Sequence, residues 1–187
     1  MWSKRIDHHK NTLMNRGRLN SVVLIGMPGA GKTTLGKQLA ITLDKTFIDS
    51  DRLIEDCLGK TLQQTVEESG YQYLREVEQS VLLELVLDNC VLATGGSAVY
   101  GVAAMQHINS CARVVYLHAT LETLESRINN YESRGLAKPD DQSFADLFSE
   151  RHVLYERYSH ARVDVSGTSV GDSLQDLLAS LGEASGK

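Results

Sequence analysis

Short apolar runs alternate along this chain with longer stretches in which apolar residues recur every three or four positions. The first run, Ser21–Ile25, is apolar on both faces, the pattern of a central parallel strand covered by helices on each side. Leu35, Leu39 and Leu43 follow at four-residue spacing and predict a helix to about Leu43. Thr46–Asp49 reads as a short second strand and Arg52–Leu58 as a helix. From Thr61 to Asp88 the pattern is mostly helical, split at Gly70, with Leu74, Val77, Val81 and Leu85 forming a core stripe. Cys90–Thr94 is a third strand, Gly101–Ile108 a helical stretch, Arg113–Leu117 a fourth strand and Leu121–Asn129 a helix. Asn130–Asp141 is polar and reads as a mobile flap. Ser143–Tyr158 is a helix with Leu147, Leu154 and Tyr158 on a broad apolar face, Val163–Val165 a fifth strand, and Asp172–Leu181 a closing amphipathic helix. Strands alternating with helices predict an α/β protein: a three-layer α/β/α sandwich around a five-stranded parallel sheet.

Composition narrows the picture a little. A chain of 187 residues, 42% hydrophobic and 23% charged, is expected to form one soluble globular domain. The net charge of −5 argues against a nucleic-acid partner held by a global basic field. No apolar run approaches membrane-spanning length, so no membrane partner is expected. Cys57, Cys90 and Cys111 are far apart, form no metal spacing, and read as buried reduced thiols. Residues 1–20 carry five basic residues but no apolar core of a signal sequence. They read as an N-terminal extension ahead of a domain over 21–187, and the expected location is cytoplasmic.

Candidate chemistry begins after the first strand. Gly26-Met27-Pro28-Gly29-Ala30-Gly31-Lys32-Thr33 fits the phosphate-binding loop, and strand, glycine loop, helix is the context that pattern requires. Glycines let successive N–H groups turn inward toward phosphate oxygens, and the helix that starts near Lys32 adds its positive end. Lys32 is placed to reach the β- and γ-phosphates, and the Thr33 hydroxyl to ligate Mg²⁺. In a parallel sheet the residues just past a strand's carboxyl end line the ligand crevice. Asp49 is therefore a candidate for Mg²⁺, and Asp51 either a base or only a helix cap. Taken by themselves, Arg75 reads as a helix-surface residue paired with Glu78 or Gln79, and Gly95-Gly96-Ser97 as a tight turn or a close backbone approach.

These motifs in this order resemble the shikimate kinase family, within the nucleoside-monophosphate-kinase-like branch of P-loop proteins. The likeness runs from about Ser21 to Leu181. It rests on the phosphate loop, Asp49-Ser50-Asp51, Leu74-Arg75-Glu76-Val77-Glu78, Ala93-Thr94-Gly95-Gly96 and Glu150-Arg151-His152-Val153-Leu154-Tyr155. The resemblance implies ATP- and Mg²⁺-dependent phosphorylation of a hydroxyl of shikimate, on a P-loop fold with a helical substrate-binding region and a lid at about 130–141. It implies nucleotide contacts at Gly29, Ala30, Gly31, Lys32, Thr33 and Thr34, with Arg127 along the adenine and the segment after Val165 closing over the base. Thr33 and Asp49 would serve the metal. Lys32, Asp51 and Arg134 would be catalytic, Asp51 holding the attacking hydroxyl. Arg75 and Arg151 would grip the substrate carboxylate, and Gly95 and Gly96 approach its ring. A monomer or weak dimer is expected. The chain departs from the family at Ser97, where a third glycine is usual, and in the lid, Arg134-Gly135-Leu136-Ala137. Smaller departures are Leu74 and Val153. The alternatives are a kinase of another small hydroxy acid, such as gluconate or quinate, and a nucleotide-binding regulatory protein without turnover.

Overall fold

The computed structural model describes residues 20–127, 136–139 and 141–182. The N-terminal extension, apart from Asn20, and Arg134 and Gly135 of the lid therefore lie outside the described residues. Five strands form one parallel sheet in the order β2-β3-β1-β4-β5. They are β1 (Val22–Ile25), β2 (Thr46–Asp49), β3 (Cys90–Ala93), β4 (Arg113–His118) and β5 (Ala161–Asp164). All four residues of β1 and all four of β3 are buried. Side chains alternate between the faces of a strand, so both faces of the sheet are covered. The helices are α1 (Lys32–Thr42), α2 (Ser50–Leu58), α3 (Leu62–Glu84), α4 (Val102–Cys111), α5 (Leu121–Arg127), α6 (Phe144–Tyr158) and α7 (Val170–Ser180), and α2 packs on α3. Helices α1 and α7 pack on each other and on β3 and β5 respectively, whereas α4 and α6 pack on β4.

Local chemistry sets most boundaries. Thr61 and Gln64 form a reciprocal capping box at the start of α3. Gly70, at φ 83° and ψ 162°, breaks α3 into two arms, as the sequence pattern predicts. The helix stops at Glu84 rather than running to Asp88, because Leu85 turns extended and Asn89 takes a positive φ of 47° to enter β3. The start of α2 also differs from expectation. Asp49, not Asp51, is its cap, accepting the Asp51 N–H at 3.1 Å. That frees the Asp51 carboxylate for other work. The cysteines differ as well: Cys90 is buried, but Cys57 is exposed and Cys111 half-buried.

Two apolar cores result. The main one lies around the sheet and includes Leu24, Ile25, Leu92, Val115, Leu117, Tyr155 and Leu177. A smaller one joins α2 and α3, with Ile54, Leu74 and Ala137 buried and Val77 and Val81 packed against it. The predicted stripe on α3 thus divides: Leu85 reaches the main core, and its three predecessors build the second. The small core fastens a residue of the expected lid, Ala137, over the helical region.

The register makes β1, β2 and β3 end together, with Leu24 beside Ala93 and Asp49 beside Ala93 on its other side. The phosphate loop, Asp49–Asp51 and Thr94–Ser97 therefore leave the sheet at one edge, where β1 separates connections running to opposite sides. Gly26 is the tightest point of that edge. Its φ is 147°, and a β-carbon on it would stand 2.5 Å from the Leu117 carbonyl oxygen. Gly26→Ala should therefore lower stability by roughly 2–4 kcal/mol, read as a lower urea midpoint; an unchanged midpoint would show that the junction of β1 and loop tolerates a side chain.

Candidate active site

The phosphate loop is closed by its own lysine. Lys32 Nζ donates to the carbonyls of Gly26 at 2.8 Å and Met27 at 3.0 Å. Gly29 and Gly31 have φ of 84° and 87°, left-handed conformations that glycine enters without strain. The first N–H groups of α1 then open toward the cleft without a side-chain cap, a disposition that receives anions. Burial lowers the Lys32 pKa to about 8, against the pull of the Asp51 carboxylate.

Thr33, one residue further, donates its hydroxyl to Asp49 Oδ2 at 2.9 Å, while Asp49 Oδ1 caps α2. A hydroxyl and a carboxylate, side by side at the loop's exit, are hard oxygen donors of the kind Mg²⁺ takes when phosphates and water complete its shell. Among the described residues, no cluster of three or more His, Cys, Asp or Glu suits a metal held by protein alone. Asp51 stands deeper in the cleft. Burial raises its pKa to about 6; Lys32 opposes the shift, and Asp49 and Glu55 add to it.

Across the cleft lie two arginines from distant parts of the chain. Arg75 on α3 and Arg151 on α6 both donate to one backbone oxygen, the carbonyl of Ala137. Arg75 does so from Nε at 3.2 Å and Nη2 at 2.8 Å, and Arg151 from Nη2 at 3.0 Å. Tyr100 supports both. Its ring lies 3.6 Å from the Arg75 guanidinium carbon, a cation–π contact, and its hydroxyl meets Arg151 Nε at 3.4 Å. Arg151 is 1% exposed. Among the described residues no carboxylate comes within 4.0 Å of either guanidinium. Arg75 therefore does not pair with Glu78 or Gln79, as its helix spacing suggested. Glu78 is buried and bonded to Ser97 instead.

The glycines between these groups permit close approach. A β-carbon on Gly96 would stand 2.8 Å from Arg151 Nη1, and one on Gly95 would stand 2.7 Å from Asp51 Oδ1. The Gly95 N–H is taken by Ser50 Oγ at 2.9 Å and the Gly96 carbonyl by the Tyr155 hydroxyl at 2.7 Å. Tyr100 was not singled out from the sequence, Ser50 and Tyr155 entered only as members of motifs with no role of their own, and Glu78 was given a role only as a surface partner of Arg75. A serine between two aspartates at a strand's end was the one available hint.

One cleft of about 380 Å³ takes in Lys32, Thr33, Thr34, Asp49, Asp51, Glu78, Gly95, Gly96, Ser97, Arg127 and Arg151. A second, of about 300 Å³, shares Gly29, Gly31, Thr34 and Arg127 with it and adds Ala30, Val165, Thr168, Val170 and Ser173. Arg127 donates to the Val165 carbonyl at 2.8 Å, which ties α5 to the segment after β5. The two clefts form one trough, with the phosphate loop at its waist, a half-apolar compartment at one end and Arg151 at the other. Of the sequence-derived site residues within the described range, all are brought to this trough except Arg75, which meets it only through Ala137.

Known proteins resemble this chain over most of its length. The family model described as shikimate kinase matches residues 28–182. Shikimate kinase of Francisella tularensis subsp. novicida is 36% identical over 157 residues, covering 82% of this chain and 89% of the relative. That of Enterococcus faecalis is 34% identical over 168 residues, covering 88% and 100%. The solved structure of shikimate kinase from Acinetobacter baumannii in complex with shikimate superposes with a TM-score of 0.78 at 33% identity, covering 84% of this chain and 90% of that one. A phosphate loop facing a buried Arg151 and a half-buried Arg75, in a chain that matches these relatives over most of its length, places the chain in the shikimate kinase family, whose members are ATP-using phosphotransferases.

Proposed function

We propose that this protein transfers the γ-phosphoryl group of ATP to a hydroxyl of shikimate, with Mg²⁺. The observation that carries the acceptor's class is Arg151: a guanidinium 1% exposed, hydrogen-bonded only to neutral oxygens among the described residues, and directed with Arg75 at a single point. A buried unpaired cation is costly, and a planar carboxylate offers two oxygens to two guanidinium groups. The Ala137 carbonyl holds those donors meanwhile, and a bound carboxylate takes them over.

Each remaining group has a task in phosphoryl transfer. ATP lies along the trough with its base toward Arg127, Val165 and Thr168, and its phosphates in the amides from Gly29 to Thr34. Lys32 brings positive charge to the γ-phosphoryl. Thr33 Oγ1 and Asp49 would hold Mg²⁺, which supplies charge neutralisation for the phosphates when bound. Asp51 accepts a hydrogen bond from the attacking hydroxyl and receives its proton. With a pKa of about 6 it is mainly ionised at neutral pH yet basic enough to take that proton. Arg134, in the lid, would add charge beside the transferring group. Ala137 seals the acceptor end and keeps water from competing.

ADP release measured with ATP and Mg²⁺ across shikimate, quinate and gluconate should show turnover on shikimate well above the other two. Equal turnover on gluconate would transfer the assignment to a broader hydroxy-acid kinase, and nucleotide binding without turnover on any acid would favour a regulatory role. Arg75→Ala should raise the acceptor KM about 10- to 100-fold while leaving the ATP KM within about twofold; an unchanged acceptor KM would remove Arg75 from the carboxylate site. The pH profile of kcat/KM should rise through pH about 6, where Asp51 loses its proton, and fall above about 8, where Lys32 loses its charge. Asp51→Asn should lower kcat by about 10²- to 10⁴-fold and abolish the acid limb; retention of that limb would exclude Asp51 as the base.

A further inference from the structure

Tyr100 closes a short 3₁₀ turn over residues 97–100, its N–H donating to the Ser97 carbonyl at 3.0 Å. The turn follows directly on Gly95-Gly96, so the backbone beside the acceptor pocket also fixes where the phenol stands. Helices α3 and α6 both touch this turn, and each brings it an arginine. The Arg75 guanidinium carbon lies 3.6 Å from the centre of the Tyr100 ring. That of Arg151 lies 5.4 Å from the same centre, and Arg151 Nε donates to the Tyr100 hydroxyl at 3.4 Å. Tyr71 faces the Arg75 guanidinium more loosely, at 4.9 Å. Held in this way, the two cations turn their N–H groups on one point, now taken by the Ala137 carbonyl.

The charges around the ring are arranged to match. Glu150 precedes Arg151 in the chain, and its field reaches both arginines, yet it is not within 4.0 Å of either guanidinium. It is engaged elsewhere: the Tyr100 hydroxyl beside it, helped by Gln142, holds its carboxyl below the usual carboxylate range, and Gln142 Nε2 donates to it at 2.6 Å. A carboxylate partner would orient a guanidinium equally well but would cancel the charge that a ligand must meet. An aromatic face attracts the cation and leaves its charge in place.

We infer that Tyr100 is the positioning residue of the acceptor's carboxylate site and a determinant of its preference for an anion: its ring and hydroxyl aim Arg75 and Arg151 at one point without neutralising either. This rests on the functional reading above, in which those arginines receive a carboxylate. Tyr100 is not among the residues lining the cleft, so its effect passes through the arginines. Without the ring, Arg75 would keep only the Ala137 carbonyl and the looser Tyr71 face, and ordering its long side chain would weigh against ligand binding.

The test is calorimetric titration and steady-state kinetics of the full chain with shikimate and with its methyl ester, which keeps the ring and its hydroxyls but not the charge. Tyr100→Leu should weaken shikimate binding about 10- to 30-fold and ester binding by less than about twofold, so that the preference for the acid falls by about a factor of ten. The shikimate KM should rise in parallel, with much smaller changes in kcat and in the ATP KM. Tyr100→Phe, which keeps the ring, should retain most of the preference. Tyr100→Met, which fills the space without a ring, carries the same test if the leucine variant fails to fold. An unchanged preference in the ringless variants overturns the inference. So does equal weakening of acid and ester, which would mark a packing effect, and so does a loss in Tyr100→Phe as large as in Tyr100→Leu. Wild type that itself binds acid and ester alike overturns the functional reading first, and that result is seen before any variant is compared.

Discussion

Arg151 holds its guanidinium 1% exposed with only neutral oxygens as hydrogen-bond partners among the described residues. Keeping a cation there costs several kcal/mol unless its surroundings are polar, preorganised and awaiting an anion. Much of the acceptor half is arranged around that cost. Gly96 lacks a β-carbon where one would stand 2.8 Å from Arg151 Nη1. Tyr100 offers both its ring face and its hydroxyl, and Ala137 lends a carbonyl. Tyr155, one turn further along α6, anchors Gly96 through its carbonyl. The second apolar core, built on Ile54, Leu74 and Ala137, keeps that carbonyl in reach.

The donor half obeys the same constraint with opposite signs. Lys32 is drawn down to about 8 and Asp51 up to about 6, each mainly by burial and each partly relieved by the other. Glu78 joins them at about 7. A lysine and two carboxyl groups, whose ordinary pKa values lie on opposite sides of neutrality, are thereby brought close to it within one cleft. Proton transfer between groups so matched needs little driving force. The structural means are simple: β1, β2 and β3 end in register, and their exits deliver the loop, the aspartates and the glycine pair to one edge.

How far this was legible in the sequence differs between the two halves. Strand-loop-helix patterning, the glycine spacing and Lys32-Thr33 are local features, and they predicted the geometry of the loop and all five strands to within a residue or two at most ends. Long-range contacts were not local and left weaker traces. Tyr155 reaches Gly96 across 59 positions and Ser97 reaches Glu78 across 19, and no periodicity encodes either. Arg75 looked like a helix-surface ion pair because Glu78 is correctly spaced for one. The turn at 97–100 intercepts both side chains, which only the tertiary structure could reveal. Ala137 was noticed only as part of the departing lid, and its role was invisible for another reason, since its contribution is a backbone oxygen that any residue would carry. Asp51 looked like a possible cap until Asp49, two residues earlier, proved to hold the helix end.

The central claim is that Arg151, buried, and Arg75, half-buried, together form a receptor for a carboxylate. Calorimetric titration of the protein with shikimate and with its methyl ester tests it most directly, because the ester keeps the ring and its hydroxyls and removes the charge those arginines would read. The account predicts that shikimate binds at least about 100-fold more tightly than the neutral ester. Equal affinity for the two would contradict it.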